Sequence, residues 1–115
     1  MSTGWQVVLA AALAANAVLG LGYRLYRFTK SGPLADVVGQ AILGALLLGL
    51  AAAVLTDQGW ARWPALGYAL LFAVIVMPVW TLGVLLPMRP QAIDYTFTGI
   101  YWFALAVIAV AAIAV

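Results

Sequence analysis

Polar and apolar positions along this chain segregate into blocks. Four long apolar runs are separated by three short polar breaks. The runs extend from about Gly4 to Tyr23, Asp36 to Leu55, Trp63 to Leu86 and Ile93 to Val115. Each is near the roughly 20 residues that an α-helix needs to cross a bilayer, whereas barrel strands alternate and are about ten residues long. A segment in hydrocarbon must also satisfy its own backbone N–H and C=O groups, which favours helices. The pattern predicts one transmembrane domain over residues 1–115, an all-α, up-down four-helix bundle whose short connections make neighbours antiparallel.

The breaks have turn chemistry. Thr29-Lys30-Ser31-Gly32-Pro33 separates the first two runs, and Pro33 cannot continue a helix. Thr56-Asp57-Gln58-Gly59-Trp60 is the second break, and Pro64 suits the first turn of the helix that follows. Pro87-Met88-Arg89-Pro90 closes the third run. The first run has no basic flank before it and is longer than the apolar core of a secretory leader, so a retained span is expected.

Composition narrows the function. Apolar residues make up 68% of the chain and charged residues 7%, against about 25% charged in soluble domains. Histidine, cysteine and glutamate are absent. That removes disulfides, haem and zinc ligation, thiolate catalysis and the base of a hydrolytic triad. No cofactor or metal is expected, and no enzyme. Five basic residues are too few for a nucleic-acid surface.

The basic residues do set an expected orientation. Arg24, Arg27 and Lys30 lie at the first break and Arg89 at the third, against Arg62 alone at the second. By the positive-inside rule the Lys30 and Arg89 loops are cytoplasmic and both termini face outward. Trp5, Trp60 and Trp63 would then form an outer aromatic belt, and Tyr23, Tyr26, Phe28 and Tyr95 an inner one.

Helices in lipid associate through small residues that permit close approach. The second run carries Ala41, Ala45, Gly49 and Ala53 at four-residue spacing, the first Ala12, Asn16 and Gly20, and the third Ala65, Ala69 and Ala73. These stripes are expected to be packing seams that close the bundle, with docking of a partner or a second copy as the alternative. Pro78 falls mid-span and predicts a kink, beside which Trp80 could border a shallow pocket for a lipid, quinone or pigment.

No ionisable residue lies at mid-span. Asp36 and Asp94 open the second and fourth runs, while Arg24, Arg27 and Arg89 close the first and third. Each complements its helix dipole, and pairs of Asp36 with Arg24 or Arg27, and of Asp94 with Arg89, are expected at one membrane face. The same groups with Gln40 and Tyr95 could instead handle an ion or a headgroup. Asn16, the deepest polar residue, is expected to hydrogen-bond a neighbouring helix. A polar path, if one exists, would use Asn16, Gln40, Asp36 and Thr81.

Tyr26-Arg27, Lys30-Ser31-Gly32-Pro33 and Asp36-Val37-Val38 resemble the loop that opens the second helix in the small F subunits of multisubunit cation/proton antiporters. Those subunits have three spans, an Arg after the Asp and a further acid in the helix. Here Val37 follows Asp36, the spacing from Gly to Asp is one residue shorter, and no second acid appears. The resemblance implies a small subunit of an ion-moving complex. The sequence as a whole reads as a non-catalytic membrane protein, a subunit or accessory that binds the bilayer and other membrane subunits or itself. A small oligomeric transporter or channel is the second expectation.

Overall fold

The computed structural model describes residues 3–29, 34–85, 87 and 91–115, and among these it is helical with no strand. Four helices are long and apolar enough to cross a membrane. Helix α1 spans Thr3–Thr29 and α2 spans Leu34–Leu55. A short 3-10 turn, Gly59–Ala61, leads into α3, which runs over residues 62–85, and α4 spans Ala92–Ala114. Helix α1 continues past Arg24 and Arg27 to Thr29, beyond the end of its uncharged run, because nothing in that stretch breaks a helix. Lys30, Ser31, Gly32, Pro33 and Arg89 lie outside the described residues.

Contacts at the helix ends fix the topology. The start of α1 meets the end of α2, where Gln6 Nε2 donates to the Val54 carbonyl at 2.6 Å. The end of α1 meets the starts of α2 and α4, through Arg24 with Asp36 and Tyr23 with Asp94. The start of α3 meets the end of α4, where Arg62 reaches the Ala112 and Ile113 carbonyls at 3.1 and 2.9 Å. Consecutive helices are therefore antiparallel. Helix α1 packs most closely on α2 and next on α4, which packs on α3, while α2 and α3 touch sparingly.

The core changes character along the bundle. At the end holding the α2–α3 turn it is small and aliphatic, with Ala61, Ala65 and Ala69 against Ile108, Ala111 and Ala112, and Leu9, Leu47 and Val54 filling the rest. Toward the other end it becomes aromatic, with Tyr101, Met77 and Leu105 packed by Tyr68, Phe72 and Phe97. Alanines let helix backbones approach closely. Large rings hold them further apart, and this difference opens a cleft at the aromatic end.

One expected seam is corrected by the structure. Ala12, Asn16 and Gly20 of α1 are buried, as are Ala65 and Ala69 of α3. Helix α2, however, buries Gly44, Leu47, Ala51 and Val54 and turns Ala41, Ala45 and Gly49 outward, with Ala53 half-buried. Gly44 rests on Ala17, where a Cβ would stand 3.7 Å from the Ala17 methyl. Small residues occur on both faces of α2, so spacing alone could not choose between them. The buried face is the one that also supplies Leu47 and Val54, whose volume fills the space beside α1.

Pro78 acts by widening its helix. Residues Phe72–Val76 and Thr81–Leu85 are π-helical, flanking the α-helical turn Met77–Trp80. The Met77 N–H bonds the Phe72 carbonyl, five residues back. In that register the Ala73 carbonyl should receive the N–H of Pro78, which has none. The Trp102 indole of α4 donates to it instead, at 3.1 Å.

Candidate functional site

The residues that draw attention gather at the aromatic end. Along α4, Asp94, Phe97, Thr98 and Tyr101 recur at three- and four-residue spacing and share one face. Along α3, Phe72, Val76 and Trp80 recur every four residues, while α1 contributes Gly20, Tyr23 and Arg24 and α2 contributes Gln40. Tyr23 is the keystone. Its ring stacks on Phe97 at 3.9 Å with a 6° tilt, and Trp80 meets both rings edge-on at 6.1 Å. Its hydroxyl donates to Asp94 Oδ1 at 2.5 Å and accepts from Arg27 Nη1 at 3.4 Å. The second carboxylate oxygen of Asp94 accepts the Gln91 N–H at 2.9 Å, capping α4. The carboxylate is thus held between a helix N-terminus and a hydroxyl backed by a guanidinium, and each of its oxygens has a donor.

Deeper in, a second polar chain crosses the bundle. Asn16 Nδ2 donates to the Tyr68 hydroxyl at 3.2 Å, and Tyr68 and Tyr101 share a hydrogen bond of 2.6 Å between their hydroxyls. Gln40 lines the cleft beside Tyr101. The chain Tyr101–Tyr68–Asn16 therefore links α4, α3 and α1. Gly20 leaves room for the Gln40 amide, which a Cβ there would displace.

Between these layers lies a small cleft, about 40 Å3 in volume. Gly20, Arg24, Gln40, Trp80, Phe97 and Tyr101 line it with Phe72, Val76 and Met77. Arg24 pairs with Asp36 at 3.6 Å and lies over the Trp80 ring at 6.0 Å. Trp80 Nε1, Thr81 Oγ1 and Asn16 Oδ1 are buried without a hydrogen-bond partner. Each such group costs about 1–3 kcal/mol, and two of the three, on Trp80 and Thr81, lie at this end.

The expected site residues divide clearly. Arg24, Gln40 and Trp80 come together in the cleft, and the Asp36–Arg24 pair forms. Asp36 itself is half-exposed at the surface, and Asn16 is joined to the cleft residue Tyr101 through Tyr68. Thr81 is half-buried with its hydroxyl enclosed, and it does not line the cleft. Arg27 joins the Tyr23 layer. The expected Asp94–Arg89 pair lies outside the described residues. One aromatic assignment changes. Tyr23 is buried and structural, so it is no belt residue, while Tyr95 is exposed. Trp5, Trp60 and Trp63 are exposed, as interface rings are.

Several residues were not legible as site components. Tyr68, Tyr101 and Trp102 read as apolar bulk inside a span. The available signal was the rule that a buried Tyr or Trp finds a partner for its polar atom. Among the described residues, no three acidic, His or Cys groups cluster to hold a metal. Comparison with known protein families, curated proteins and solved structures found no match.

Proposed function

We propose that this chain is a non-catalytic membrane protein, a small subunit or accessory that works by docking another transmembrane helix along the outer face of α2. The observation that carries the reading is the outward stripe of Ala41, Ala45 and Gly49. A bundle that already commits one small-residue face of α2 to α1 keeps a second one free. Shallow apolar furrows flank it, one along Ala17, Val18, Leu21 and Ala45 and the other along Val7, Ala11, Ala14 and Ala52, with Leu48 bordering both. Such a surface admits a neighbouring backbone closely, which is how helices associate where hydrophobicity supplies no drive. The inward polar groups support the same view. Asp94 and the tyrosines are engaged with one another across helices, an arrangement suited to holding a bundle in register rather than to proton transfer on a substrate.

A photo-crosslinking residue at Ala45 tests this in the native membrane. The expected result is a discrete adduct at Ala45 and none at Val79, which is exposed on α3. Equal or absent crosslinking at the two positions contradicts it.

One observation favours a small transporter as a second reading, namely that the polar chain Tyr101–Tyr68–Asn16 begins at the cleft, which Gln40 also lines. On that reading Gln40→Leu and Asn16→Leu abolish flux in reconstituted vesicles. On the docking reading they lower stability only.

A further inference from the structure

We propose that α3 is a helix with two registers, in which residues 77–85 form an arm that turns by about 100° when the π-helical turn Phe72–Val76 relaxes to α-helix, and that the Trp102 indole is the catch that holds the π register.

The catch follows from where Pro78 leaves an unpaired carbonyl. In an α-helix a proline deprives the carbonyl four residues back, here that of Val74. Val74 is 67% exposed on the outer face of the bundle, where hydrocarbon would offer no donor. The π register moves the deprived carbonyl back by one residue, to half-buried Ala73. There Trp102 Nε1 donates to it at 3.1 Å. The wide turn is kept because one indole on the neighbouring helix satisfies what the proline leaves.

Each register leaves something unsatisfied. In the π register Trp80 Nε1 and Thr81 Oγ1 are buried without partners. In the α register the unpaired groups are the Val74 carbonyl and the Trp102 N–H. Relaxing the wide turn gives every position beyond it the facing now held by the next residue, a rotation of about 100°. Val79 then meets Tyr23 and Phe97 in place of Trp80, and Thr81 comes to the facing of Leu82, which is 70% exposed. Met77 exchanges its burial for the half-buried facing of Pro78, a change that its unbranched, adaptable side chain accommodates. The first half of α3 does not follow, because Ala65 and Ala69 are fully buried in the core with Ile108 and Ala111. With unsatisfied groups on both sides, the arm has two discrete arrangements rather than a continuous range. The proposal is independent of any partner on the outer face of α2.

The chain has no cysteine, so spin labels can be attached at introduced ones. Double electron–electron resonance of the full chain in lipid nanodiscs tests the proposal. The pairs Leu82–Val18 and Leu82–Ile100 report the arm, and Leu70–Val18 reports the fixed half, all at exposed positions. The wild type should give one dominant distance for each pair. Pro78→Ala restores the missing N–H, so the α register, the commoner backbone form, becomes fully bonded. Both Leu82 distances should then move by several ångströms to a second value. Trp102→Phe keeps an aromatic ring but loses the N–H, and should raise the ratio of the second value to the first about fivefold, the scale of one hydrogen bond. The Leu70–Val18 distance should stay the same throughout. Thermal midpoints identify any variant that fails to fold, and Pro78→Ala, which removes a helix breaker, decides the matter without Trp102→Phe. Wild-type Leu82 distances in a folded Pro78→Ala chain, or in a folded Trp102→Phe chain, overturn the proposal. So does a Leu70–Val18 shift as large as those of the Leu82 pairs, which would mean that the whole helix moves.

Discussion

Single residues in this chain do work that their position in the sequence conceals. Arg62 reads as a lone loop charge, yet it folds back onto the end of α4 and donates to the Ala112 and Ile113 carbonyls. Those carbonyls carry the negative end of the helix dipole, so a cation there is favourable. Gln6 does a similar service for α2, whose end adopts a Schellman-type turn. The Gln58 N–H reaches the Ala53 carbonyl at 2.9 Å and the Asp57 N–H reaches Val54 at 3.1 Å, with Asp57 at φ 65°. Gln6 then adds a second bond to the Val54 carbonyl. Arg62→Gln should cost about 1–2 kcal/mol, read as a lower thermal midpoint in detergent. An unchanged midpoint would show that the α4 terminus is satisfied by water. The Arg62 and Gln6 contacts were not legible in the sequence, because each joins residues about fifty positions apart.

At the scale of the element, the apolar pattern predicts every helix, and helix-dipole logic predicts the Arg24–Asp36 pair. The facing of α2 is another matter. Its four-residue stripe of small side chains reads as the seam, whereas the buried face is Gly44, Leu47, Ala51 and Val54. A helix with small residues on two faces is degenerate to pattern reading, and only the shape of its neighbour breaks the tie. The two faces predict opposite outcomes. Gly44→Leu must force a branched side chain against Ala17 and should destabilise the chain by about 1–3 kcal/mol. At Gly49 an added Cβ would meet no neighbouring atom within 4 Å, so Gly49→Leu should leave the melting of the isolated chain unchanged. Melting curves of the two variants decide the matter, and loss of stability in Gly49→Leu would reinstate the expected seam. In α3, Pro78 is legible as a breaker, but its remedy is not. The orphaned Ala73 carbonyl is met by an indole from α4, and that is a tertiary fact.

At the scale of the molecule, the bundle is tight and alanine-rich at one end and propped open by rings at the other. Close packing at the first end supplies rigidity, and the second end carries the cleft and the buried polar atoms of Trp80 and Thr81 without partners. On the orientation expected from the positive-inside rule, this open end would face the cytoplasm. A cysteine at Gln58 should then react with an impermeant thiol reagent in intact cells, and one at Pro87 only after the membrane is opened. The reverse pattern would invert the molecule. Within the membrane plane, the exposed face of α2 is where the proposed partner sits, and the proposed function depends on that partner. The most direct test is native mass spectrometry of the tagged chain extracted from its own membrane, beside the Gly49→Leu variant. A stoichiometric second membrane protein, lost from the variant while the variant stays folded, is the predicted result. A lone monomer in both samples would contradict the proposed role.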